Sequence, residues 1–110
     1  MIISKEGHTS IVAQERGTLI QFLGKLRESY PSLKEDHIIL NLFSFTTLKA
    51  ADLLEFLHLS NTHRAAKKSF VLVSNAVSYD EVPDEICLVP TIQEAKDIIE
   101  MEEIERDLDL

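Results

Sequence analysis

The chain has no tryptophan, one cysteine, three prolines and three glycines in 110 residues. A lone Cys87 cannot close an internal disulfide and cannot supply the paired thiolates of a zinc site. In the apolar run "ICLV" it reads as a small buried hydrophobe. So few prolines and glycines predict short turns and a compact fold without a flexible linker. No apolar run approaches the roughly 20 residues of a membrane span, and "MIISKEGHTS" lacks the basic start and long apolar stretch of a signal peptide. The absences extend to chemistry. There is no HExxH or HxxEH pair, no glycine-rich phosphate loop and no GxSxG elbow. His58 and His63 are five residues apart, off the i, i+4 spacing of a helical metal pair. With His8 and His37 they read as surface or structural histidines. The chain is therefore expected to be noncatalytic, cytoplasmic and free of metal and cofactor.

What is present suits one α/β domain over residues 1–110, with 45% hydrophobic and 27% charged residues. The net charge of −8 is uneven. Residues 80–110 carry twelve acids against Lys96 and Arg106, whereas residues 1–79 carry seven acids against nine bases. That balance opposes binding to nucleic acid or to anionic membrane and suits a basic partner, or simply a solvated acidic helix end over about 100–110. His63, Arg64, Lys67 and Lys68 form the opposite patch. They either complement a helix C-terminus or touch an acidic partner.

"MIIS" and "HTSIVAQ" are short strands flanking the turn-prone "KEGH". In "GTLIQFLGKLRESY", Leu19, Phe22, Leu23, Leu26 and Tyr30 share one helical face, and Thr18 with Gln21 predicts a capping box. Pro31 is expected to limit the helix there. "HIILNLF" reads as a central strand covered on both faces. A helix from about Thr47 to Arg64 follows, with Leu53, Leu54, Phe56 and Leu57 as its apolar face and Thr46 or Thr47 as cap or strand-end residues. "SFVLVSN" is a second buried strand, "AVSYDEVPDE" a loop and "ICLV" the last strand. Thr91 and Glu94 predict another capping box, opening a helix whose buried stripe is Ile92, Ala95 and Ile99. After Glu100 this helix either frays or continues, in which case Ile104 and Leu108 would extend the stripe into a contact between two copies. The order β-β-α-β-α-β-β-α implies a mixed, mostly parallel sheet of four or five strands with three helices packed on it.

"HIILNLFSFTTLKAADLLEFLHLSNTHRAAKKSFVLV" and "ICLVPTIQEAKDII" resemble, in order and spacing, the central strand, switch helix, following strand and closing helix of STAS domains, the anti-sigma-factor antagonists. The resemblance runs from about Ile38 to Ile99; the loop between Asn75 and Glu85 is shorter than that family's. It implies a protein-interaction module whose partner is a kinase-like anti-sigma factor, docked around Ser44 to Leu54. The implied contacts are Ser44, Thr46, Thr47, Lys49, Asp52 and Glu55. Ala50 and Ala51 stand where the family carries its phosphorylatable serine, so the switch is expected to be missing unless Thr46 or Thr47 replaces it. A second reading is a nucleotide or lipid sensor with a pocket in "SNAVSYDEVPDE", at the strands' carboxyl ends. The chain is also similar to short bacterial proteins ending like "EMEEIERDL", some of them labelled ribonuclease Z. That enzyme needs an HxHxDH zinc motif, which this sequence lacks, so at most an association with it is implied.

Overall fold

A computed structural model of the protein describes residues 1–108. Its elements are β1 (Ile2–Glu6), β2 (Thr9–Ala13), α1 (Leu19–Leu33), β3 (His37–Asn41), α2 (Ala50–Leu53), α3 (Leu57–Ala65), β4 (Phe70–Val73), β5 (Cys87–Val89) and α4 (Ile92–Leu108). Single 3-10 turns join α2 to α3 over Leu54–Phe56 and follow β4 at Tyr79–Glu81. The element order and the mostly parallel α/β sheet are those expected from the sequence.

The five strands lie in sequence order, β1 antiparallel to β2 and all others parallel. Gly7, at φ +59°, supplies the left-handed residue of the β1–β2 turn. From β2 onward every crossover steps the same way along the sheet. Right-handed crossovers then deliver every connection to one face. On that face Phe22 and Leu26 of α1, Leu53 of α2 and Phe56 pack over Ile38, Leu40, Phe70 and Leu72. The other face of β3–β5 is covered by α4, whose Ala95 and Ile99 meet Ile39, Val71 and Val73. β3 is thus buried on both sides, which accounts for its unbroken apolar run.

Two local expectations need correction. Pro31 does not end α1, which runs on to Leu33. Proline forfeits one backbone bond in the last turn, and burial of Leu33 offsets the loss. The second helix starts at Ala50 rather than Thr47 and is broken by the 3-10 turn. Neither threonine caps it: Asp52 turns back to accept the Lys49 N–H at 2.9 Å. Helix α4 continues through Leu108 rather than fraying after Glu100, and Ile104 and Leu108 are exposed, as a contact between two copies would require. The last two residues of the expected acidic end, 109–110, lie outside the described residues.

The acidic end is partly fastened to the body. Glu102 accepts the Ser69 hydroxyl at 2.6 Å and Arg64 at 2.9 Å, and His37 Nε2 lies 2.8 Å from Glu103. Burial alone would raise the Glu102 pKa, yet Ser69 and Arg64 hold it below the usual value. Arg64 also donates to the Phe70 carbonyl, and Lys67 ends α3 in a left-handed conformation at φ +66°. The basic patch therefore serves the fold at Arg64 and at the buried His63, leaving Lys67 and Lys68 at its outer edge.

Candidate functional site

Because β2 and β3 are parallel neighbours, the loops leaving them emerge side by side at the carboxyl edge of the sheet. The Ser44 hydroxyl donates to the Gln14 carbonyl at 2.6 Å and ties the two loops together. Gly17 then turns the chain into α1 at φ +108°. A Cβ there would stand 2.6 Å from Gln21 Oε1 and 2.7 Å from Gln14 Nε2, so only glycine fits. The expected capping box follows: Thr18 N–H donates to Gln21 Oε1 at 3.0 Å and Gln21 N–H to Thr18 Oγ1 at 3.2 Å. Across from it the β3–α2 loop is pinned by Phe45, whose ring centroid lies 5.7 Å from that of Phe22, and by buried Leu48.

Two adjoining depressions result. One, of about 370 Å³, is walled by Gly17, Thr18 and Leu19 on one side and by Ser44, Thr46, Thr47 and Asp52 on the other. The second, of about 590 Å³, runs on between α1 and α2 past Leu23, Gly24 and Arg27, with Asp52 and Glu55 opposite. Thr18, Leu19 and Asp52 line both, so together they form one cleft.

Of the residues expected to form the site, Ser44, Thr46, Thr47, Asp52 and Glu55 gather around this cleft. Lys49 is exposed at the head of α2, but it lines neither depression. Asp52 is half-buried and already committed to the Lys49 N–H, so it is less free than an exposed contact. Ala50 and Ala51 occupy the first turn of α2, Ala50 half-buried against the core and Ala51 exposed. Sequence reasoning missed the whole α1 wall. Ile20 is 83% exposed at the cleft, one turn from Gly24. Its signal was present: an isoleucine outside the apolar stripe of an otherwise amphipathic helix.

The loop after β4 does frame a cavity of about 320 Å³, lined by Ser74, Asn75, Val77, Tyr79 and Leu88 among others. Ser74 Oγ accepts the Ala76 N–H at 3.1 Å, and Ser78 N–H donates to the Glu81 carboxylate at 2.9 Å. It lies at the carboxyl ends of β4 and β5, where the chain after β4 stays on the α1–α3 face and the chain after β5 turns to α4 on the other.

The buried histidines are structural. Nε2 of His63 lies 2.7 Å from the Asp36 carbonyl, which can only accept, so that nitrogen carries the proton; Nδ1 then accepts from Tyr30 at 2.8 Å. His37 Nδ1 accepts the Ser69 N–H at 2.9 Å. Burial pushes both pKa values down; Glu103 opposes this for His37 and the Asp36 carbonyl for His63. Burial likewise pushes the Cys87 thiol up. Among the described residues, no three His, Cys, Asp or Glu side chains are grouped to hold a metal, and no helix is long and apolar enough to cross a membrane. No protein-family model matches the chain, and no curated protein matches it.

Proposed function

We propose that this protein is a noncatalytic, STAS-like interaction module that docks a protein partner through the cleft between the start of α1 and α2. The observation that carries this reading is the cleft itself. It is open and apolar at Leu19, Leu23 and Gly24, is flanked by a nearly fully exposed Ile20, and has Asp52 and Glu55 along one wall. An apolar side chain left in water beside a groove edged by Asp52 and Glu55 on one wall and Arg27 on the other suits a partner that covers it. The same cleft takes in most of the surface that the STAS resemblance assigns to a kinase-like anti-sigma factor. Ala50 and Ala51 offer no hydroxyl at the helix start, so docking here is constitutive unless the exposed Thr46 or Thr47 at the cleft carries a phosphate. The test is affinity capture from native lysate with the wild type and with Ile20→Glu and Glu55→Lys. A specific protein should be recovered by the wild type and lost by both variants, with melting temperatures unchanged. Recovery of the same protein by all three, or of none by the wild type, refutes the reading.

A further inference from the structure

Helix α4 has apolar residues on two opposite sides. Ala95 and Ile99 are buried against β3–β5, with Ile92 and Ile98 at their flanks. Met101, Ile104 and Leu108 follow the i, i+3, i+7 spacing of a second stripe. At about 100° per residue, Ile104 points away from Ala95. These three are 60%, 53% and 82% exposed. Among the described residues, none of the three joins a core cluster.

Their frame is acidic. Asp97, Glu100, Glu105 and Asp107 are exposed beside the stripe and form no ion pair among the described residues. The helix has two cations and both are occupied: Lys96 pairs with Glu6 at 2.9 Å, and Arg106 lies 3.9 Å from Glu102. A second copy would bring the same acids against each other, because a two-fold contact sets a surface against itself. The complement is an amphipathic helix with apolar residues at the matching spacing and Lys or Arg along both flanks.

We infer that the outer face of α4 is a docking surface for a basic amphipathic helix of a partner protein. It lies across the sheet from the α1–α2 cleft and is separate from it, so either surface can fail alone.

The decisive variant is Ile104→Glu, because it adds negative charge while removing the apolar contact. Two labelled synthetic peptides of about 18 residues serve as probes. Both carry leucines at i, i+3 and i+7; one has Lys and Arg flanks and the other has Gln. Each is titrated with the full chain by fluorescence anisotropy at about 0.1 M and 0.5 M salt. The basic peptide should bind saturably. Its affinity should fall about tenfold or more with Ile104→Glu, with the Gln peptide and with high salt. Absence of saturable binding overturns the inference. Binding that Ile104→Glu leaves unchanged or strengthens also overturns it, since that is charge attraction alone. So does self-association of the wild type that Ile104→Glu abolishes, which would make a second copy the occupant.

Discussion

Acidifying the protein from pH 7.5 to 5.5 should destabilise it, and His63 should account for much of the loss. This ring is fully buried, with its edge toward Tyr30 and Phe70, and both nitrogens are used in the neutral form. Burial lowers its pKa from 6.5, and His37, Lys68 and Arg64 add to that push against the Asp36 carbonyl. The unfolded chain therefore takes up a proton as pH falls through 6.5 while the folded chain resists, so stability drops with pH. The slope cannot exceed about 1.4 kcal/mol per pH unit for each histidine. From pH 7.5 to 5.5 that limits the loss to about 1.4 kcal/mol for His63, and to about 3 kcal/mol if His37 behaves alike. Glu103 makes the His37 share smaller. Asp36 and Glu102 titrate elsewhere. Their folded pKa values lie below the ordinary 3.8 and 4.5, so their contribution is present above those values and fades only in stronger acid. Urea unfolding followed by far-UV circular dichroism at pH 7.5, 6.5 and 5.5 measures the effect. With a slope of about 1–2 kcal/mol per molar urea, the midpoint should fall by no more than roughly 1.5–3 M. His63→Gln should remove about half or more of the pH dependence, whatever it does to stability at pH 7.5. A midpoint that is flat or rises on acidification refutes the reasoning, as does a variant that keeps the full dependence.

Gly17→Ala should cost about 1–3 kcal/mol, because it adds backbone strain at φ +108° and drives a methyl group into the Gln14 and Gln21 amides. A melting temperature within a degree or two of wild type would show that the loop absorbs the change. Cys87 should react with a thiol–disulfide reagent at neutral pH about tenfold or more slowly in the folded protein than in urea, since burial keeps it protonated. Equal rates would contradict the burial argument.

Much of the architecture was legible because it rests on short-range pattern. The α1 stripe, the Thr18–Gln21 box and the β3 apolar run each depend on residues a few positions apart. Thr91 Oγ1 likewise accepts the Glu94 N–H at 3.1 Å, as the spacing suggested, although Glu94 turns to the Thr91 hydroxyl rather than to its N–H. Where tertiary packing competed with local signals, the local reading failed. Pro31 could not stop α1 because Leu33 still had core to reach. Thr46 and Thr47 looked like caps, but seating Phe45 and Leu48 in the core carried the loop three residues further, to where Asp52 could cap instead. The Ser78–Glu81 box at the 3-10 turn after β4 was a readable signal that went unread.

The candidate site divides along the same line. Its α2 side could be anticipated from a contiguous stretch, whereas its α1 side is brought there only by the parallel pairing of β2 with β3. No spacing rule joins Ile20 to Glu55. The sheet order has a further consequence. With strands in sequence order, the loops leaving β2, β3 and β4 turn to one face, and that leaving β5 turns to the other, toward α4, so the cavity lined by Ser74, Asn75, Tyr79, Leu88 and Pro90 lies where neighbouring loops part. Outer surfaces can be read from helices whose period is broken. Ile20 on α1 and Ile104 on α4 each sit out of phase with a buried stripe that is otherwise complete. An apolar residue in that position adds nothing to the core and leaves hydrocarbon in water that a docked partner would cover.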